Sequence, residues 1–336
     1  MLHDVRYGGL AGGLGEESEM KIARHRHARG IFVLSFLAAG LVAPLVHASN
    51  IALTPEQRKA LDTIYQGDPD GAIVLARAIQ QAAPQQPEGY VIESEALWWK
   101  RYCGACEIKY GMIEAWTHEK RPEDEAYLEL GDRIVELAKA QLAKSDTAEM
   151  HFFVGMGYAL KVRVYGLRSE GRNAARAAVN ARSEMLRALE LDPQLADATA
   201  AMGVYNYYVD TLSPAVKFLR FFMGIPGGNK ELGVKQMEIG MNQGTVLAVH
   251  VRFILARALR QYDQKYQEAL DIAEPLVARY PQNPLFLLLA GNLNAELGRD
   301  AKAAEYFRQV QNGQQSGSLC PERTRNLANS FLQTLH

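Results

Sequence analysis

Between Pro284 and Val310 the chain reads PLFLLLAGNLNAELGRDAKAAEYFRQV, two apolar-periodic stretches parted by the short break Leu297-Gly298-Arg299-Asp300. Apolar and small residues recur at three- and four-residue intervals in each stretch, the period of a helix with one buried face. Leu287, Ala290, Gly291 and Asn294 mark the first predicted helix, and Ala303, Phe307 and Val310 the second. Gly291 and Ala303 are small where two antiparallel helices would cross, and Phe307 is large enough to fill the space beside them. A single hairpin of this kind cannot bury its apolar face alone, so stacked copies are expected.

The same spacing returns upstream. His151, Val154, Gly155 and Tyr158 are followed by Ala181, Met185 and Ala188, and Met202, Gly203 and Asn206 by Gly233, Met237 and Gly240. Ala256 and Leu259 are followed by Ala269, Ala273 and Leu276. The anchors Ala181, Gly233, Ala269 and Ala303 settle toward a repeat of about 34 residues. Residues 49–146 carry weaker copies. Pro55–Tyr65 and Pro69–Ala82 form a predicted pair, and a long helix is expected from Pro87 to about Trp116. Glu93 and Arg133 stand there at places where the pattern wants small or apolar residues. Pro321–Leu335 reads as a final helix capping the exposed end, within a segment 319–336. No segment alternates in the manner of a strand, and the predicted class is all-α.

Composition adds a setting. After a Gly-rich stretch of nineteen residues, Met20 opens a segment with Lys21, Arg24, Arg26 and Arg29, an apolar run from Ile31 to Val46, and Val46-His47-Ala48. This order predicts a secretory signal peptide cleaved after Ala48, with Met20 as the true start and residues 1–48 dispensable to the folded protein. The run is shorter than the roughly 20 residues of a spanning helix and contains Pro44, so no membrane span is expected after cleavage. The expected location is the periplasm. With 37 basic against 38 acidic residues there is no cationic excess to draw nucleic acid.

The repeats from 147 to 318 resemble the tetratricopeptide-repeat family, and the weaker copies extend that resemblance to residue 55. Tyr207-Tyr208, Pro214, Leu219, Gly224, Gly228 and Gly233, followed by Ala269, Leu276, Tyr280-Pro281 and Asn283, are similar to the layout of exported bacterial members of unassigned role. The resemblance implies an α-solenoid superhelix whose concave groove holds a protein or peptide partner, and a non-enzymatic scaffold or adaptor role. Carried onto this chain, the family's groove positions are Phe152 and Met156, Tyr207, then His250, Phe253, Arg257 and Arg260, and finally Asn292. Arg257 and Arg260 lie three apart on one predicted face, with His250 two turns earlier, a spacing suited to a carboxylate or acidic peptide.

Three other features bear on function. Tyr102-Cys103-Gly104-Ala105-Cys106 echoes a thiol oxidoreductase string, which makes thiol–disulfide chemistry through Cys103 and Cys106 a lesser alternative function. The expected context is mid-helix with no strand leading into it, however, and the thiols are expected to form a Cys103–Cys106 disulfide or to remain packed, with Cys320 left odd. The insertion 207–232 contains an apolar stretch, 211–228, that either plugs the stack or touches a partner or membrane surface. An alternative to the scaffold is therefore a small-molecule carrier accessory to a transporter, with an enclosed apolar pocket beneath the insertion and arginines at its mouth. Glu93 and Glu95, two apart beside Trp98 and Trp99, point to different faces and read as ordinary helix-face charges. Neither a Ser/His/Asp set nor HExxH occurs, and no cofactor or metal is expected.

Overall fold

The computed structural model describes residues 49–105, 107–109, 112–114, 120–212, 217, 225–313 and 319–335. The expected signal peptide lies outside the described residues, as do Cys106 and most of the apolar insertion.

Helix starts follow their caps. Thr54 and Gln57 form a capping box at the head of α1 (Pro55–Tyr65), Asp68 caps α2 (Pro69–Ala82), and Thr147 caps α5 (Ala148–Leu167). Asn229 and Asn283 do the same for α8 (Lys230–Gln243) and α11 (Pro284–Glu296). Between these run α3 (Glu88–Ala105), α4 (Glu123–Leu142), α6 (Gly171–Leu191), α7 (Ala196–Thr211), α9 (Ala248–Ala258) and α10 (Tyr266–Arg279). The chain ends with α12 (Asp300–Asn312) and α13 (Pro321–Thr334). The described residues are all-α apart from one antiparallel hairpin, β1 (Glu107–Lys109) with β2 (Met112–Glu114). The helix expected to reach Trp116 thus stops at Ala105, where the β-branched and apolar residues after Cys106 are taken up by the hairpin. Among the described residues no helix is long and apolar enough to cross a membrane.

Consecutive helices pack as hairpins, and small residues set their approach. A Cβ placed on Gly291 would lie 2.5 Å from the Phe307 ring, and one on Gly203 would lie 2.7 Å from the Met237 amide. Glycine is required at both crossings by the closeness of the partner helix. The two residues that break the pattern upstream have partners: Glu93 accepts from Arg77 at 2.8 Å and Gln80 at 2.6 Å, and Arg133 pairs with Glu136. Arg101 and Asp124 form a buried ion pair that ties α3 to α4.

Helices far apart in sequence also meet. Asp62 on α1 accepts from Arg279 and from the Tyr280 hydroxyl, and Asn283 donates to the Tyr65 carbonyl. Trp99 on α3 packs against Phe253 of α9 and Phe286 of α11, with ring centroids 5.1 and 5.8 Å apart. In an array of repeats held only by nearest neighbours these helices would not touch. Here α3 packs against α5, and its Trp99 reaches α9 and α11. A covalent bond joins the same regions: Cys103 is bonded to Cys320, not to Cys106. Cys103 faces fully into the core, where the start of α13 reaches it with the two Cα atoms 6.0 Å apart, a separation a disulfide accepts.

Candidate functional site

Two helices carry matched stripes. Glu95, Trp98, Trp99 and Tyr102 recur on one face of α3, and His250, Phe253, Ile254 and Arg257 on one face of α9, each set spanning two turns. Glu95 meets His250 directly, and the other residues of both stripes line a cavity of about 370 Å³. α5 adds Met156, Arg163 and Leu167, α7 adds Val204 and Tyr208, and the turn after α9 adds Gln261 and Tyr262. That turn, Leu259–Asp263, has π-helical winding and ends at Gln264 in the left-handed region, φ 53°. The wider turn brings Tyr262 to the cavity while Arg260 is directed elsewhere.

Glu95 is the polar hub. Its side chain is 6 % exposed, and it accepts from the Trp99 indole at 2.8 Å, from Arg163 Nη1 at 2.9 Å, and from His250 Nδ1. Arg163 Nη2 stands 3.1 Å from His250 Nε2. A guanidinium only donates, so Nε2 is the acceptor and His250 is a neutral imidazole with its proton on Nδ1. Burial lowers the His250 pKa and Arg163 adds to this, against the opposing pull of Glu95. Burial alone would raise the Glu95 carboxyl, but the adjoining His250 and Arg163 outweigh it and hold the group well below the carboxylate range. Carboxylate and guanidinium cancel, so the three-residue cluster carries no net charge.

The second cation is distinct. Arg257 donates to the hydroxyls of Tyr102 and, at 3.3 Å, Tyr208, and its guanidinium lies over the Tyr102 ring. The remaining wall is chiefly apolar and aromatic. Among the described residues the lining contains no Ser, Thr, Cys, Asp or Lys. Both ring nitrogens of His250 are engaged by Glu95 and Arg163, leaving no lone pair for general-base work on a bound molecule. Among the described residues no group of His, Cys, Asp and Glu is arranged to hold a metal ion.

Of the residues expected in the groove, Met156, His250, Phe253 and Arg257 come together here. Phe152 is buried against Phe153, and Tyr207 is buried with its hydroxyl donating to Asp263 at 2.9 Å. Arg260 does not share the Arg257 surface: it clamps Asn292 at 2.5 Å and Glu296 at 2.9 Å, joining the turn after α9 to α11. Glu95 is not a solvated helix-face charge, as its local position suggested, because α9 and α5 cover it. It and Arg163 are the residues that repeat spacing did not single out. A carboxylate followed at three, four and seven residues by Trp98, Trp99 and Tyr102 was the available signal, since a charge inside an aromatic stripe needs a buried partner. Within the insertion residues 207–212, 217 and 225–232 are described, but residues 213–216 and 218–224 lie outside the described residues, and with them its expected role as plug or contact patch. No protein-family model matches the chain, and no curated protein matches it.

Proposed function

We propose that this protein is a small-molecule binding protein that holds one small, largely apolar molecule in the cavity between α3, α5, α7 and α9. The observation that carries this is the cavity itself: about 370 Å³ with a predominantly apolar and aromatic wall and two arginines, at the small end of the size range of ligand sites. It has room for the equivalent of roughly a dozen waters. In this reading the hairpins belong to a tetratricopeptide-type superhelix, supported by Gly203 and Gly291 at the crossings with Met237 and Phe307. The protein is exported to the periplasm and serves as a carrier accessory to a transporter. The scaffold reading, with a peptide along the inner helix faces, has less support: Phe152, Phe253 and Asn292 are spent on the core and offer little surface. No catalytic role is assigned.

The test is binding of N-phenyl-1-naphthylamine, a neutral apolar fluorophore, to the purified protein and to Val204→Trp, which fills the cavity from α7. The expected result is saturable one-to-one binding lost in the variant while its melting transition persists. Absence of saturable binding, or equal binding to the filled variant, overturns the proposal.

A further inference from the structure

Resting on the export reading, we propose that the turn joining α6 to α7 is a binding site for the chain's own new N-terminus: the α-ammonium released by cleavage after Ala48 docks on the Asp192 carboxylate and the Gln194 carbonyl.

The segment 49–53 is fastened from its first residue. The Ser49 N–H donates to the Gln194 carbonyl at 3.1 Å, the Ser49 carbonyl accepts from the Ala196 N–H at 3.2 Å, and the Ser49 hydroxyl donates to Asp192. Ser49 thereby forms a parallel bridge with Leu195. Beyond it the burial alternates, with Ile51 and Leu53 buried and Asn50 and Ala52 exposed, the period of an extended strand laid on a core. Thr245 Oγ1 donates to the Ile51 carbonyl at 2.9 Å and to Asp197 at 3.1 Å. Asp197 also accepts from the Val246 and Leu247 amides directly ahead of α9. The strap thus ties the approach to the helix bearing His250 and Phe253 to the approach to α1, whose cap Thr54 follows Leu53.

The site has a carboxylate for which cleavage supplies the cation. Of the other carboxylates on these two helix ends, Glu190 pairs with Arg187, and Asp197 is taken up by Thr245, Val246 and Leu247. Asp192 is half-buried and accepts from the Gln194 amide at 3.0 Å and from the Ser49 hydroxyl; among the described residues no cation pairs with it. It also closes α6, where the helix dipole adds partial negative charge. In the uncut chain Ser49 presents one amide proton, and Gln194 takes it. Hydrolysis of the Ala48–Ser49 peptide bond consumes one water and leaves a carboxylate on Ala48 and an amine on Ser49, which takes up a proton at neutral pH. The resulting ammonium has three protons to donate. Gln194 keeps the first, and a carboxylate already bonded to the hydroxyl of the same residue is within reach of a second.

The experiment compares two forms of the purified protein, one beginning at Ser49 and one retaining Val46-His47-Ala48, each with and without Asp192→Asn. The α-amine pKa is read from the pH dependence of its acylation by trace acetic anhydride, quantified on the N-terminal peptide. In the form beginning at Ser49 it should lie about half a unit or more above the ordinary α-amino range of about 7.7–8.0, and Asp192→Asn should return it to that range. The longer form should titrate in the ordinary range with either residue at 192. In urea at pH 7, Asp192→Asn should lower the unfolding midpoint more in the Ser49 form than in the longer one. Should the variant fail to fold, the two unsubstituted forms decide by their amine titrations. An ordinary α-amine pKa in the Ser49 form, or equal effects of Asp192→Asn in both forms, overturns the docking and leaves the export reading standing. N-terminal sequencing of protein recovered from cells making the full chain should read Ser49-Asn50-Ile51. A longer terminus overturns the cleavage on which the proposal rests, whatever the titration shows.

Discussion

Arg163 Nη2 and His250 Nε2 face each other at 3.1 Å, a donor-only group against a ring nitrogen, and this contact fixes the imidazole as neutral. Protonating it would set two N–H groups against each other inside the core. The folded protein therefore resists taking up a proton that the unfolded chain accepts near pH 6.5.

The sign of the pH dependence follows. His250 has its folded pKa lowered, first by burial and further by Arg163 and Arg257, with Glu95 opposing. The unfolded state then binds more protons below pH 6.5, so the His250 contribution is complete above that value and is lost as pH falls from it toward the folded value. The loss is at most about 1.4 kcal/mol per pH unit. Glu95 acts in the same direction but only at lower pH, since its carboxyl is held down by His250 and Arg163. Urea unfolding of wild type and His250→Gln between pH 7.5 and 5.5 isolates the effect: wild type should lose more stability on acidification than the variant. Parallel curves, or a wild type that gains on acidification, would show that the imidazole is protonated in the fold.

Glu95 and Arg163 should behave as a coupled pair. Glu95→Ala leaves a guanidinium, its side chain 17 % exposed, without its carboxylate and the Trp99 and His250 donors without their acceptor. A loss of about 3–5 kcal/mol is expected. Replacing both, as Glu95→Leu with Arg163→Met, should restore much of that, because an apolar pair needs no desolvated partner. The coupling from the double-mutant cycle should be about 2 kcal/mol or more in magnitude; additive effects would mean that the two residues do not depend on each other.

How much of this was readable along the chain depends on the range of the interaction involved. Helix periods, the Thr54, Asn229 and Asn283 caps, and the small-against-large pairs Gly203–Met237 and Gly291–Phe307 are local or one hairpin apart, and spacing reveals them. Arg257 and His250 were legible for the same reason. What spacing could not supply was the position of α3, because nothing within its own residues says that α9 and α11, about 150 and 190 positions later, will cover it. Glu95 consequently read as a surface charge, and Arg260 as a neighbour of Arg257 until the π turn at Leu259–Asp263 separated them. Arg163 left one trace, a cation in the mostly apolar run Val162–Leu167 of α5.

The Gly291–Phe307 crossing tests the packing argument directly. Ala at 291 would gain helix propensity of about 1 kcal/mol over Gly. Its Cβ, however, would stand 2.5 Å from a Phe307 ring that is fully buried and stacked on Phe331 at 5.0 Å, leaving no direction to yield. Overpacking costs typically about 1–3 kcal/mol, so a net loss of about 1 kcal/mol is expected for Gly291→Ala, with Phe307→Leu relieving the clash in the double variant. A more stable single variant would place the two helices further apart than described.

Cys103 and Cys320 close a loop of 217 residues, which joins the end of the helix bearing Trp98, Trp99 and Tyr102 to the start of α13. A cross-link over so long a loop restricts the unfolded chain strongly, and its removal should cost about 2–5 kcal/mol. Reduction, or Cys320→Ser, should lower the unfolding midpoint accordingly. It should also weaken fluorophore binding, because Tyr102 precedes the linked residue and helps to form the cavity wall. Peptide mapping without reductant distinguishes this from the local alternative suggested by the Cys103-Gly104-Ala105-Cys106 spacing. The expected product links one peptide from α3 to one from the start of α13. A single internally oxidised peptide containing Cys103 and Cys106, with Cys320 open to alkylation, would remove the covalent tie between α3 and α13, and the stability loss on reduction would then be small, as a short loop predicts.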